Sequence, residues 1–304
     1  MEPINLFSGA TGLNTVVDPV RLPYNADSGV SDLGAAVNVR IDDTGRISRV
    51  DGYSKQLSGS YHSVFCDGYD CFVGKGTSLM QIGIDLSETG IRSGMSGDRI
   101  AYAQDVYLYY SNGTDNGLIK NGLSYSWDVS TYYGPETTKD FRDVPVGHHL
   151  AFAYGRAFIA RDNILWWTEV YNFGLIDRAL NFVMFPSKIL MVKPVEEGIF
   201  VSDEKKTFFL RGTNPHTFLQ RIVAPYPAYE WSDAIDYVSG IEIGLDIGSN
   251  ALGLCAFWSS PEGAILGSPS GQLVNLNKSK IIYPQTGSSG ASLIRGYDFL
   301  HTIT

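Results

Sequence analysis

The sequence predicts an all-β protein, a β-propeller of about five to seven blades. Three observations predict it. Apolar runs of four to six residues recur along the chain, each closed by Gly, Pro, Asp or Asn, as short antiparallel strands are. The composition is rich in turns and aromatics and poor in charge, with 33 Gly, 18 Tyr, 15 Phe and 18% charged residues among 304. Finally, a strand–turn–strand–tight turn–strand unit repeats. Taking Phe72, Leu108, Phe158, Ile199 and Ala264 as equivalent, the steps are 36, 50, 41 and 65 residues. The first three are near the blade length of about 40 to 50 residues. A lone unit of this kind cannot bury both faces, so the units must stack in a ring. A β-sandwich or jelly roll is the alternative that strand count alone leaves open.

Residues 1–34 lack periodicity and are rich in Gly, Pro, Asn and Asp, which predicts an extended arm. Residues 35–304 are expected to form a single propeller domain. It begins at AVNVRIDDTGRISRVDGY (36–53), where Val37, Val39 and Ile41 alternate with polar residues ahead of Asp43-Thr44-Gly45, a hairpin signal. The first full unit joins His62–Phe65 to Cys71–Gly74 and Ser78–Ile82. The second runs through Arg99–Tyr102, Val106–Tyr109 and Leu118-Ile119. Between the last two lies Asn112–Gly117, whose oxygen-rich composition hints at calcium but lacks the alternating acidic spacing, so a hairpin turn is expected. The third unit uses His149–Phe152, Ala157–Ala160 and Ile164–Trp167. Leu165–Pro215 then carries the clearest copy, with strands at Ile189–Val192, Gly198–Ser202 and Thr207–Leu210 and the charged turn Asp203-Glu204-Lys205-Lys206. Gly253–Trp258, Gly263–Leu266 and Gln272–Leu276 form the fifth, and Ser292–Ile294 is a closing strand. One short helix at most is expected, near Gly174–Asn181.

The charge balance is acidic, 23 basic against 32 acidic residues for a net −9, and no basic cluster exceeds Lys205-Lys206. Binding that grips phosphates needs a basic stripe, so sequence-specific nucleic-acid binding is not expected. The N-terminus has no signal-peptide pattern, no run is long enough for a membrane helix, and three cysteines make no disulfide framework. Folding in a reducing cytoplasm is the expectation, with Cys66 and Cys71 facing one another as thiols across the turn Asp67–Asp70. The sequons at Asn112 and Asn277 are then chance matches.

No metal or cofactor site is expected. His148 and His149 are adjacent, and on a strand adjacent side chains point to opposite faces; His62, His216 and His301 have no nearby partner of ligand type. There is no nucleophile elbow and no phosphate-binding glycine loop before a helix. A carbohydrate-binding or glycan-cleaving propeller is the alternative function. It would draw carboxylates from Asp162, Glu169, Asp177, Glu196, Glu230 and Asp233, and stacking rings from Trp166, Trp167, Trp231 and Trp258.

Two segments carry a family resemblance. LWWTE (165–169), followed by a loop, LNF (180–182) and ILMVKPVEEGIFVSDEKKTFFLRG (189–212), resembles the tail-hub or nozzle β-propellers of bacteriophages. AFWSSPEGAILGSPSGQLVNLN (256–277) is similar to another blade of that group, and residues 36–53 to its N-terminal hairpin. The resemblance implies a virion structural protein of the tail, made in the host cytoplasm and without enzymatic activity. It implies a homo-oligomeric ring touching other tail, portal or adaptor proteins, with DNA passing nearby and no membrane span. The interface aromatics expected on this reading are Trp166, Trp167, Tyr132 and Tyr133.

Overall fold

A computed structural model describes residues 9–22, 24–25, 29–42, 44–50, 52, 54–127, 139–238, 253–277, 280–282, 289–295 and 298–303. The chain is an all-β propeller built on five consecutive four-stranded antiparallel sheets. Blade 1 comprises Tyr61–Cys66, Cys71–Lys75, Ser78–Ile82 and Glu88–Arg92. Blade 2 comprises Ala101–Gln104, Leu108–Ser111, Asn116–Lys120 and Leu123–Tyr125. Blade 3 comprises His149–Ala153, Arg156–Arg161, Ile164–Trp167 and Phe182–Met184. Blade 4 comprises Ile189–Val195, Gly198–Asp203, Thr207–Arg211 and Leu219–Ala224. Blade 5 comprises Ala234–Val238, Gly253–Ser260, Gly263–Gly267 and Leu273–Asn275.

Alternation along the middle strands explains the stacking. Side chains point alternately to the two faces of a sheet, and here both faces are covered. Phe158 and Ala160 pack toward blade 4, against Ile199, Val201 and Phe208. Their neighbours Ala157 and Ile159 pack toward blade 2, against Tyr109 and Leu118. Leu108 and Tyr110 pack toward blade 1, against Phe72 and Leu79. On blade 4, Phe200 and Phe209 turn to blade 5 and meet Trp258 and Ile265. These middle strands are therefore continuous apolar runs, and the core is a series of layers between blades.

The turns follow from their residues. Asn121-Gly122 and Tyr154-Gly155 both have positive φ at each position (51° and 71°, 53° and 69°), the geometry that a two-residue hairpin needs. Gly198 has another reason: a Cβ there would lie 2.3 Å from the Leu210 carbonyl oxygen. In the charged turn of blade 4, Asp203 Oδ1 accepts from the Lys205 and Lys206 amides, each at 2.8 Å. Asn112 does the same for Thr114 and Asp115, so that loop is a hairpin turn as the sequence indicates.

Two expectations need correction, and the one short helix allowed near Gly174–Asn181 does not form. Each unit has four strands where the sequence indicates three. The missed fourth strands of blades 1 to 4 are outermost and mostly exposed or half-exposed, so no apolar alternation marks them. In blade 5 the missed strand is the first, Ala234–Val238, and Ala264 belongs to the third strand and not the second. That shift accounts for about ten residues of the 65-residue step; the 14 residues between Val238 and Gly253 lengthen it further. There is no α-helix at Gly174–Asn181: Ile176-Asp177 pairs with Phe141-Arg142, and Asn181 N–H closes a turn on Asp177 O at 2.8 Å.

The N-terminal arm lies on the chain's own body. Gly9–Leu13 pairs in parallel with Val30–Leu33. The buried Asp32 carboxylate accepts from Thr11 Oγ1, from Asn14 Nδ2 at 2.8 Å and from Lys280 Nζ at 2.9 Å. Val39–Ile41 and Ile47–Arg49 form the expected hairpin. Gly290–Arg295 and Asp298–Ile303 form a second one beside Ala234–Val238. Among the described residues the two hairpins do not pair with each other.

Candidate functional site

The first strands of blades 1 to 4, the turn before blade 5 and the start of the last hairpin line a central cavity of about 430 Å³. Tyr61–Phe65, Arg99–Tyr102, His149-Leu150, Val192-Lys193, Trp231, Asp233 and Gly290-Ala291 line it. First strands line it because they are the innermost, and their inward residues have no neighbouring blade to pack on. That leaves room for polar side chains that a middle strand excludes. The volume is of small-molecule order.

The chemistry concentrates where blades 3 and 4 and the entry to blade 5 meet. Lys193 Nζ pairs with Asp233 Oδ2 at 2.5 Å. Arg99 donates to the Gly290 carbonyl at 2.8 Å and holds its guanidinium 6.0 Å from the Trp231 ring centre. Trp231 has φ +68°, a left-handed conformation costly for a bulky side chain. Ser232 fixes that turn, since its hydroxyl donates to Tyr229 O at 2.7 Å and accepts from Ser259 N–H at 3.0 Å. The strained turn sets Glu230 and Trp231 against His149. The His149 ring lies 4.4 Å from the Trp231 ring, and its Nε2 lies 3.5 Å from Glu230 Oε1. Lys188 Nζ donates to the same oxygen at 3.0 Å.

His148 completes the group. It sits on a bend just ahead of the strand His149–Ala153, so strand alternation does not govern it. Its ring meets that of His149 edge-on at 5.1 Å, and its Nε2 donates to Ile189 O at 2.7 Å. The expectation that two adjacent histidines must diverge is thereby corrected. One ligand atom from each of His148, His149 and Glu230 lies within 4.8 Å of the others. Burial pushes the His148 imidazole down to about 4, with the neighbouring His149 adding to the effect. Burial works to raise Glu230, but His149 and Lys188 outweigh it and hold the carboxyl at about 2. At neutral pH the His148 imidazole is therefore neutral and Glu230 is ionised.

The carboxylates that a glycan-cleaving site would use are mostly dispersed. Asp162 is exposed in a blade 3 turn. Glu169 binds Lys139 at 3.2 Å and Asn181 at 3.1 Å, while Asp177 is buried in the turn beside it. Glu196 accepts from the Leu254 amide. Only Glu230 and Asp233 of the six belong to the central group. Of the tryptophans, Trp167 and Trp258 are 2% and 0% exposed in the layers between blades. Trp166 is half-buried against Phe182, and Trp231 alone reaches the cavity. As interface aromatics, Trp167 is therefore enclosed by its own chain and Trp166 partly so; Tyr132 and Tyr133 lie outside the described residues.

The rim presents the other surface of note. Leu219–Ala224 is the outermost strand of blade 4, with no partner on its outer edge among the described residues. Leu219 and Ile222 on it are 70% and 52% exposed. Gln220 and Arg221 interrupt its apolar residues, so the strand carries no clear signal in the sequence.

No known protein family matches the sequence, and no curated protein does. Solved structures match in shape. A streptogramin B lyase aligns at 9% identity over 78% of this chain and 74% of that one, with a TM-score of 0.47. A gluconolactonase from Xanthomonas campestris aligns at 13% identity over 76% and 78%, with a TM-score of 0.42. The extracellular domain of a putative one-component system from B. thetaiotaomicron aligns at 17% over 72% of this chain and 28% of that one, with a TM-score of 0.43. The expectation of a chain without enzymatic activity is corrected here. Two of these three similar structures are named as enzymes.

Proposed function

We propose that the chain is an assembly part of a bacteriophage tail, a propeller of the tail-hub or nozzle kind that joins neighbouring subunits. The observation that carries this reading is the open rim of blade 4. An edge strand with unpaired backbone groups and exposed apolar side chains is a template for another chain, and proteins that must stay apart blunt such edges. Leu219 and Ile222 put apolar side chains on this edge, beside the exposed Gln220 and Arg221. The resemblance of residues 165–212 and 256–277 to tail propellers supports the same reading. The central cavity bears on where DNA would run. About 430 Å³ holds a small molecule and not a duplex, so a genome path would lie between copies and not through a propeller.

The test is light scattering of the purified chain, with electron microscopy of virions that carry it tagged. The expected result is a ring-forming oligomer located in the tail, disrupted by Leu219→Glu with Ile222→Lys. A chain that stays monomeric at high concentration and is absent from particles would overturn the proposal.

A further inference from the structure

We propose that His148, His149 and Glu230 form a binding site for a divalent transition-metal ion of the zinc type, with a fourth position left for water and with Lys188 as the cation that the metal displaces. The donor set comes first. Two imidazoles and a carboxylate suit zinc, and three protein ligands with one open position describe a site that can bind or activate a further molecule. Geometry comes next. Zinc bonds of about 2.0–2.1 Å in a tetrahedron set adjacent donors about 3.3 Å apart. His149 Nε2 and Glu230 Oε1 are 3.5 Å apart, and all three donor atoms lie within 4.8 Å.

The His149 ring adds a second observation. His149 is 5% exposed, and its buried Nε2 makes no hydrogen bond of good geometry, Glu230 Oε1 at 3.5 Å being a loose contact. A buried polar atom left unpaired costs about 1–3 kcal/mol, so such atoms mark places where something else binds. This one points at the Glu230 carboxylate. His148 carries the outer support that metal-binding histidines have: one ring nitrogen donates to a backbone carbonyl, Ile189 O at 2.7 Å, which fixes the tautomer and leaves Nδ1 with a free lone pair. Lys188 then takes on a second meaning. Its ammonium rests 3.0 Å from Glu230 Oε1 with 45% of the side chain exposed, a cation that can swing out. The strained Trp231 turn, costly in itself, is what delivers Glu230 to the two histidines.

The experiment is calorimetric titration of the full chain with Zn²⁺, in a Cys66→Ser, Cys71→Ser background so that thiols do not contribute. The absorption spectrum of the Co²⁺ form serves as a second readout. One saturable site per chain and a tetrahedral cobalt spectrum are expected. Glu230→Gln and His148→Ala should each weaken binding about tenfold or more. Lys188→Ala should tighten it, because the competing cation is gone. Circular dichroism confirms that each variant is folded, and the exposed Lys188 keeps the test decisive if a histidine variant fails to fold. The proposal falls if folded chain shows no saturable Zn²⁺ binding, if Glu230→Gln leaves the affinity unchanged, or if Lys188→Ala weakens it.

Discussion

Replacing Asp32 by Asn should free the N-terminal arm while leaving the blades intact. Asp32 joins Thr11 and Asn14 of the arm to Lys280 near the other end of the described chain, and its side chain is 4% exposed. The hydrogen bond from Thr11 is the largest of the effects that hold its carboxyl at about 2, against 3.8 for an ordinary aspartate. Nearly two pKa units, at 1.36 kcal/mol each, make the ionised form worth about 2 kcal/mol to the docked arm. Because the folded pKa is depressed, that contribution is complete above about pH 4 and is lost as pH falls toward 2. Asn keeps one acceptor oxygen but turns an NH₂ toward groups that are themselves donors. Asp32→Ala is harsher, since breaking a buried pair costs about 3–5 kcal/mol. The arm makes few apolar contacts, so it should open locally without global unfolding. Hydrogen exchange on Gly9–Leu13 and Val30–Leu33 is the assay, with pepsin cleavage near the arm as its acid counterpart. In Asp32→Asn the protection there should fall about thirtyfold, the equivalent of 2 kcal/mol, while blades 3 and 4 stay protected. Equal protection in both proteins, or an arm in the native protein that is indifferent to acid, would refute the clamp.

Other outcomes follow from the same coordinates. Trp258→Ala removes a fully buried indole from the layer between blades 4 and 5, where it meets Phe200 at 5.3 Å; thermal or urea unfolding should show a loss of about 3–5 kcal/mol. Partial desolvation pushes the exposed Cys66 thiol up to about 12, with Cys71 opposite it in register adding to the rise; alkylation of the native chain at mildly alkaline pH should be slow at Cys66, and rapid alkylation there would contradict the environment described. Gly198→Ala places a methyl group 2.3 Å from Leu210 O and against the Phe209 ring; a melting temperature within a degree or so of the parent would show that the two strands are not held as described.

The fold could be read in the sequence because its signal is carried by buried strands. Phe158-Ile159 and Phe200-Val201 are apolar on both faces, since a blade lies against each. Such runs, with Gly and Asp at their ends, are visible in one dimension. The outer strands were invisible for the converse reason. Leu219–Ala224 is exposed over its first four residues and mixes Gln and Arg with its apolar residues, so neither alternation nor a run marks it. The same logic explains the first strand of blade 5, where Ile235 and Tyr237 face outward and the apolar period is lost.

The central site was hidden by a different cause. Its members come from three places, His148-His149, Lys188 and Glu230, and their spacing reflects the length of the intervening blades and not the chemistry they share. What sequence did offer was a rule that failed locally. Alternation would send two neighbouring histidines to opposite faces, but it applies within a strand, and His148 sits one residue before its strand starts. The bend there turns a pair that should diverge into one that converges. Trp231 makes the matching departure beside it, with a left-handed backbone that no sequence pattern announces. Two departures from regular strand geometry, with the His149 and Trp231 rings 4.4 Å apart, produce the site. Regular repetition builds the layers between blades, and the polar group collects where that repetition is broken.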